Sequence, residues 1–157
     1  MNNQIPTFAI LGHPKEGKSS IVSTLAEDDS VPISPIPGET KKCREYPVFV
    51  DGREIIRFVD TPGFQQPRKT CEWMKQYTGP TDQMVTEFIH ANGSVPDFID
   101  ECELCAPLAA GAGIIYVVDG SCPYGADYEA EMEILRWSGR PSLALINPIE
   151  GDEFAVC

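Results

Sequence analysis

The chain has 157 residues, of which 42% are hydrophobic and 23% charged, a composition that excludes intrinsic disorder and predicts one globular domain. Its 24 acidic and 12 basic residues give a net charge of −12, which argues against a role in coating nucleic acid or anionic lipid. No apolar run reaches the roughly 18 residues that a membrane span needs. The first residues lack the basic region of a secretory signal, so we expect a cytoplasmic protein whose six cysteines are reduced thiols.

The first half of the chain predicts three strands and one helix. In chain order we predict a strand at 6–11, a helix at 18–25, a loop at 26–39, and strands at 42–50 and 53–59. The last two strands flank Asp51-Gly52, a turn sequence typical of a β-hairpin.

The second half predicts helices and two apolar strands. Residues 69–110 are mostly helical with two Gly-containing breaks, which fits three helices that together form a helical insertion. Continuous apolar segments at 113–118 and 141–146 are typical of strands inside a parallel sheet. Residues 126–137 fit both a period of two and a helical stripe; their length and the flanking strands favour a helix. The alternation of strands and helices predicts an α/β layered fold.

A glycine-rich segment between the first predicted strand and helix satisfies the pattern G-x-x-x-x-G-K-[ST]. It comprises Gly12, His13, Pro14, Lys15, Glu16, Gly17, Lys18 and Ser19. In this context the pattern predicts a phosphate-binding loop, because its glycines let backbone amides point at phosphate oxygens and the helix adds its positive N-terminal end. Lys18 would contact the β- and γ-phosphates, and the Ser19 hydroxyl would bind Mg²⁺. The alternative is an ordinary glycine turn.

Two further segments supply candidate switch residues. Asp60-Thr61-Pro62-Gly63 ends a predicted strand that should lie beside the phosphate loop, so Asp60 could hold Mg²⁺ through water and the Gly63 amide could reach the γ-phosphate. Thr40 could bind Mg²⁺ and the γ-phosphate from the preceding loop, although Ser30 or Ser34 could substitute for it. The alternative for residues 60–63 is a turn that ends the strand, and the alternative for Thr40 is a solvated loop threonine.

These motifs, in this order, resemble those of the Era/TrmE/EngA-type bacterial GTPases of the translation-factor class. The resemblance implies a three-layer α/β P-loop NTPase fold with a mostly parallel sheet, and Mg²⁺ and GTP or GDP as ligands. It implies that residues 12–20 bind the phosphates, which adds Ser20 to the segment above. It also implies catalytic roles for Lys18, Thr40 and Gly63, with Ser19, Thr40 and Asp60 at the Mg²⁺.

Guanine selectivity in this family comes from Asn-Lys-x-Asp after a strand, whereas this chain has Asn147-Pro148-Ile149-Glu150. Asn147 matches, and Pro148 lacks the lysine stem that would lie against the purine. Glu150 retains a carboxylate that could accept two hydrogen bonds from guanine. We expect Asn147 and Glu150 to bind the base and favour guanine; the alternative is an incidental pair of residues at a strand end.

Two other positions bear on hydrolysis, of which the first differs from Ras-like enzymes and the second from TrmE-like members of the family. Phe64 follows Gly63, where Ras-like enzymes carry a glutamine that orients the attacking water, so we expect slow hydrolysis. Lys15 stands where TrmE-like members use an asparagine to help bind an activating potassium ion. We expect its ammonium to lie near that cation site, so that hydrolysis does not depend on potassium; the alternative is a lysine that points to solvent.

Three remaining features carry weaker interpretations. We expect the Cys102-Glu103-Leu104-Cys105 segment to supply packing cysteines on a helix, because no second pair exists to complete a zinc site. We expect the His13 side chain to face outward, without a role in proton transfer. For Asp119 two interpretations are open: it is a structural residue, or it faces the switch segment.

Taken together, the sequence predicts an Era-like G domain over residues 1–157, the amino-terminal part of a longer protein. The family fold continues with a strand and a helix that this chain lacks, so we expect an exposed apolar sheet face. We expect Mg²⁺-dependent GTP binding, slow hydrolysis, and nucleotide-controlled loops near 26–42 and 64–75. The expected partners are a guanine nucleotide and an unknown protein effector, without direct nucleic-acid contact. The alternatives are a regulatory module that barely hydrolyses nucleotide, and an ATPase on the same scaffold.

Overall fold

The structure, a computed structural model, describes residues 4–27, 41–121 and 123–148. Five strands form one sheet in the order β2-β3-β1-β4-β5. Their bounds are β1 Thr7–Gly12, β2 Arg44–Val50, β3 Arg53–Asp60, β4 Gly113–Asp119 and β5 Ser142–Asn147. Strand β1 pairs in parallel with β3 and β4, β4 pairs in parallel with β5, and only β2 runs antiparallel to its neighbour β3. The predicted mostly parallel sheet with one hairpin is therefore confirmed.

Five α-helices connect or follow these strands. They are α1 Lys18–Ala26, α2 Pro67–Gln76, α3 Met84–Asn92, α4 Ile99–Ala109 and α5 Ala126–Trp137. Helices α2, α3 and α4 lie between β3 and β4, where the sequence predicts three helices. Helix α5 has the predicted bounds, so the helical interpretation of that ambiguous segment is confirmed.

The core is divided between the two faces of the sheet, which makes the fold three-layered. On one face, α2, α3, α4 and α5 bury a large apolar cluster that includes Phe64, Phe88 and Leu108. On the other face, α1 covers a smaller cluster built on Ile10, Val22 and other residues. A sheet buried on both faces explains why β1 and β4 are continuous apolar segments. The predicted three-layer α/β fold is confirmed.

The last described strand is much less covered than the others. Leu143 and Ile146 on β5 are 63% and 70% exposed, which agrees with the expected exposed apolar sheet face. Among residues 4–27, 41–121 and 123–148, no helix is long and apolar enough to cross a membrane.

Parallel pairing brings three functional segments to one edge of the sheet. The phosphate-loop segment follows the carboxyl end of β1, and Asp60 and Asn147 are the last residues of β3 and β5. Because β1, β3, β4 and β5 all run in the same direction, their carboxyl ends meet at one edge, which is where α/β sheets of this kind bind ligands.

Candidate nucleotide-binding site

The segment after β1 has the backbone form of an anion-binding loop. Gly17 adopts a left-handed conformation with φ of 76° and precedes α1 directly, without a side-chain cap for the helix. A Cβ at Gly17 would lie 2.6 Å from Nδ2 of Asn147, so only glycine fits there without displacing that side chain. Lys15 also has a positive φ, of 73°. The uncapped amides of the first helical turn are thus available for an anion such as phosphate.

Lys18, the lysine of the motif, is buried against the same loop. Its side chain is 8% exposed, and Nζ donates a hydrogen bond to the carbonyl oxygen of His13 at 2.6 Å. Burial lowers the pKa of Lys18, while the negative charges of Asp60, Glu131 and Glu16 oppose that shift. The ammonium is therefore held at the centre of the loop by surrounding carboxylates and a carbonyl.

Ser19 and Asp60 meet as the motif predicts. The Ser19 hydroxyl donates a hydrogen bond to Oδ2 of Asp60 at 2.8 Å, which joins the start of α1 to the end of β3. The other carboxylate oxygen, Oδ1, is buried and has no hydrogen-bond partner among the described residues. Burial raises the pKa of Asp60, against the Ser19 hydrogen bond and the charge of Lys18. A hydroxyl and a carboxylate with a free oxygen form a donor set that suits Mg²⁺.

Gly63 is packed directly against the phosphate loop. A Cβ at this position would lie 2.7 Å from the Pro14 nitrogen and 3.1 Å from Nζ of Lys18, so no larger residue fits without displacing the loop. The next amide, of Phe64, donates a hydrogen bond to the carbonyl oxygen of Gly12 at 3.2 Å. The segment from Asp60 to Phe64 thus contacts the loop at its first residue, Gly12, and at Ser19.

The Phe64 side chain points away from the nucleotide edge. It is 1% exposed and belongs to the large apolar cluster on the face covered by α2 to α5. A buried phenyl ring has neither the position nor the hydrogen-bonding atoms to orient a water molecule. Gln65 reaches the carbonyl oxygen of Gly63 through its side-chain nitrogen at 3.3 Å, so it folds back on its own segment.

Asn147 reaches the phosphate loop from the end of β5. Its Nδ2 donates a hydrogen bond to the carbonyl oxygen of Glu16 at 3.0 Å. Asn147 is therefore brought to the loop, as its predicted role requires. Thr40 and Glu150, the other predicted switch and base-reading residues, lie outside the described residues.

The prediction that His13 faces outward is wrong. Its Nδ1 donates a hydrogen bond to Oε1 of Glu131 on α5 at 2.7 Å, and its side chain is 34% exposed. The second oxygen of Glu131 accepts a hydrogen bond from the Tyr116 hydroxyl at 2.8 Å. Glu131 is fully buried, so this acceptor attracts the imidazole toward the protein interior. His13 therefore joins the phosphate loop to α5.

A second contact joins α5 to the loop. The Tyr128 hydroxyl donates a hydrogen bond to Oε1 of Glu16 at 2.6 Å, and Glu16 is 3% exposed. Sequence reasoning assigned no role to Glu131 or Tyr128, because residues 126–137 were interpreted only as a strand or a helix. Their spacing of three residues on one helical face, shared with buried Leu135, was the signal that could have found them.

The remaining predicted residues divide into exposed and structural ones. Lys15 and Ser20 are exposed at the loop and the first turn of α1. Asp119 accepts hydrogen bonds from the amide and hydroxyl of Ser121, which is a local structural contact at the end of β4. Cys102 and Cys105 are buried in the apolar core, which confirms their predicted packing role. Burial raises the pKa of Cys102 to about 11, so this thiol is protonated at neutral pH.

Solved structures share this fold at low sequence identity. Era in complex with MgGDPNP and a segment of 16S ribosomal RNA has a TM-score of 0.63 and 19% identity, and the match covers 91% of this chain and 40% of that one. A variant of Aquifex aeolicus Era bound to GDP.AlF4⁻ has a TM-score of 0.58 and 20% identity, covering 93% and 41%. These likenesses show an Era-type fold.

Curated relatives and a family model agree with the fold. GTPase Era of Borreliella afzelii is 28% identical over 142 residues, covering 90% of this chain and 40% of that protein. GTPase Der of Agathobacter rectalis is 38% identical over 73 residues, covering 46% of this chain and 16% of that protein. The chain thus spans less than half the length of these relatives. The family model described as "50S ribosome-binding GTPase" matches residues 7–147, so the chain belongs to this family of GTP-binding GTPases, as the Era/EngA-type resemblance implied.

Proposed function

We propose that this chain binds GTP together with Mg²⁺, hydrolyses it slowly, and changes the conformation of two loops when the γ-phosphate leaves. The observation that carries this proposal is the convergence of Lys18, the Ser19–Asp60 pair and Gly63 on one loop. Phosphoryl transfer needs little from a protein beyond positioning and charge stabilisation, and these groups can supply both.

Each residue has a distinct part in the proposed site. The amides around Gly17 hold the phosphate oxygens, and Lys18 offsets the charge that develops on the β- and γ-phosphates. Ser19 and, through water, Asp60 would hold Mg²⁺, whose positive charge neutralises the phosphates when it is bound. Thr40 would complete the metal site, and the Gly63 amide would contact the γ-phosphate. Loss of that phosphate would release the segments that carry Thr40 and Gly63.

The proposed site for the base lies at the end of β5. Asn147 lies against the phosphate loop, where it can support the loop and the edge of a bound base. A carboxylate at Glu150 would accept hydrogen bonds from N1 and N2 of guanine, and adenine offers no such pair of donors. We therefore propose guanine as the preferred base.

A second candidate function is a regulatory module that binds nucleotide and barely hydrolyses it. The burial of Phe64 favours this candidate, because the side chain that follows Gly63 cannot orient a water molecule. Single-turnover hydrolysis of MgGTP separates the two candidates. Hydrolysis above the uncatalysed rate supports the GTPase, and a rate equal to that without protein supports the module.

Ribosome or RNA contact is not part of this proposal. The Era structure contains 16S ribosomal RNA, but this chain covers 40% of that protein. A net charge of −12 disfavours direct contact between this chain and a polyanion. The proposed partners are a guanine nucleotide and a protein effector that reads the two loops.

The test of the site is the substitution Lys18→Ala. Loss of a charged hydrogen bond to phosphate should weaken MgGTP binding about 10- to 100-fold in calorimetry. Lys69→Ala is the control, because Lys69 is an exposed lysine paired with Asp97, outside the proposed site. Equal affinity of Lys18→Ala and the wild type would contradict the assignment of the phosphate site.

A further inference from the structure

A buried carboxylate on α4 holds the backbone that follows Gly63. Glu101 is 1% exposed, and its Oε1 accepts hydrogen bonds from the amides of Gln65, at 2.6 Å, and of Gln66. Helix α2 begins at Pro67 with Gln66 as its N-cap, and no side chain of its own caps it. Glu101 thus provides, from another helix, the acceptor that an N-cap side chain normally provides.

This contact completes a chain of anchored amides beside Gly63. The Phe64 amide donates to Gly12 of the phosphate loop, and the next two amides donate to Glu101. The backbone from Phe64 to Gln66 is therefore fixed between the phosphate loop and α4. The position of the Gly63 amide follows from this attachment, since Gly63 immediately precedes the three anchored residues.

The position of Glu101 is poorly explained by stability alone. Its second oxygen, Oε2, is buried without a hydrogen-bond partner among the described residues. Burial raises the pKa of Glu101 although the amides of Gln66 and Gln65 act in the opposite direction. A buried, half-satisfied carboxylate costs free energy. Its place next to a predicted switch suggests a role in function.

The same helix also holds the segment that follows the other predicted switch. Oε1 of Glu103 accepts a hydrogen bond from the Cys43 amide at 2.8 Å. The Cys43 thiol donates to the backbone carbonyl of Glu103 at 3.1 Å. Cys43 follows Thr40 by three residues in the sequence. Two carboxylates of α4 therefore bind backbone amides next to both loops that the γ-phosphate is proposed to hold.

We infer that Glu101 is a positioning residue, which orients the Gly63 amide for the γ-phosphate, and that Glu103 acts likewise on the segment after Thr40. Helix α4 then holds two described segments, the backbone after Gly63 and the backbone at Cys43. This inference rests on the proposed GTP site. It predicts that Glu101 affects the binding of GTP and not of GDP, because only a triphosphate has the γ-phosphate that Gly63 would contact.

The test compares the affinities of Glu101→Gln for a non-hydrolysable MgGTP analogue and for MgGDP. A neutral amide has one weaker acceptor for two backbone amides, so we expect affinity for the GTP analogue to fall about tenfold. Affinity for MgGDP should stay within about twofold, because GDP does not contact Gly63. Glu101→Ala, which removes the acceptor entirely, should show a larger loss for the analogue alone.

The matched control is Asp100→Asn, the same chemical change at the adjacent half-buried residue of α4. It should leave both affinities unchanged. A merely structural role for Glu101 predicts a different pattern, in which both nucleotides lose affinity in proportion to a lower melting temperature. Equal losses for the two nucleotides, or no loss for either, would overturn the inference.

The outcomes separate this inference from the proposed function. If the wild type binds neither nucleotide, the proposed function fails. If the wild type binds both and Glu101→Gln changes neither, only the role of Glu101 fails. Should Glu101→Gln not fold, Glu103→Gln decides, because Glu103 is half-buried and its loss should also weaken the GTP analogue selectively. An unchanged ratio of the two affinities in Glu103→Gln would then refute the positioning role of the α4 carboxylates.

Discussion

At the scale of single residues, the site is organised around one positive charge. Lys18 lies among the carboxylates of Asp60, Glu131 and Glu16, which together oppose the effect of burial on its pKa. Each of these carboxylates accepts a side-chain hydrogen bond. Asp60 accepts one from the Ser19 hydroxyl, Glu131 accepts them from His13 and Tyr116, and Glu16 accepts one from Tyr128. The loop is therefore held in place by side-chain contacts before any phosphate binds, which reduces the ordering cost of binding.

The first residue-scale prediction concerns Glu131. Glu131→Gln should weaken the contact between His13 and α5 and loosen the phosphate loop. GTP and GDP share the loop, so we expect both affinities to fall by a similar factor, about fivefold, in calorimetry. Glu133→Gln is the control, since Glu133 lies on the same helix and only approaches Arg136, at 3.9 Å. A selective loss of GTP affinity in Glu131→Gln would contradict this role.

The second residue-scale prediction concerns Lys15. This exposed lysine adopts φ of 73°, which asparagine tolerates well. We expect wild-type hydrolysis to be the same in potassium and sodium salts. Lys15→Asn should introduce a several-fold stimulation by potassium, measured as single-turnover rate in matched ionic strength. Potassium stimulation of the wild type would show that the Lys15 ammonium does not replace a cation.

At the scale of elements, the sequence predicted the strands and helices better than the side-chain contacts between them. The apolar segments of β1 and β4 and the glycine motif between β1 and α1 are local signals, and the structure confirms these elements within one or two residues. The contacts of Glu101 with Gln66 and of Glu131 with His13 join residues 35 and 118 positions apart. Nothing in the local pattern of α4 distinguishes Glu101 from the acids beside it, and on α5 only the spacing of Glu131 from Tyr128 and Leu135 does so.

The helices between β3 and β4 supply an element-scale prediction. Phe88 on α3 is fully buried and makes edge contacts with Trp73 and Phe98, at centroid distances of 5.2 and 5.5 Å. Phe88→Ala should lower the free energy of unfolding by about 3–5 kcal/mol in urea titrations. Ile99→Ala, at a half-exposed position, should cost far less. Equal costs would show that these helices do not pack as described.

At the scale of the whole molecule, the buried carboxyl groups and the negative net charge determine how the free energy of unfolding changes with pH. Burial raises the pKa of both Glu101 and Glu131, so the folded state favours their protonated forms. Their contribution to stability is fully present below the unfolded pKa of about 4.3, and it is lost as pH rises through the higher folded pKa values. The net charge of −12 adds repulsion in the same direction.

We therefore expect the free energy of unfolding to fall as the pH rises from about 4.3 toward neutrality and beyond. Urea titrations across this range measure it. The variant Glu101→Gln should show a smaller fall, because it removes one of three buried carboxyls among the described residues, with Glu131 and Asp60, whose pKa is raised by burial. Added salt should raise stability near pH 8 by screening the net charge. Stability that increases toward pH 8 would contradict this account.

The most direct measurement is calorimetry of the wild-type chain with GTP, in the presence of Mg²⁺ and after its removal by EDTA. We predict saturable binding of MgGTP at one site, weaker binding without the metal, and weaker binding of MgATP. These results follow from the loop around Lys18, the Ser19–Asp60 pair and the base contacts proposed for β5. A folded chain that takes up neither purine triphosphate would contradict the assignment of a nucleotide site.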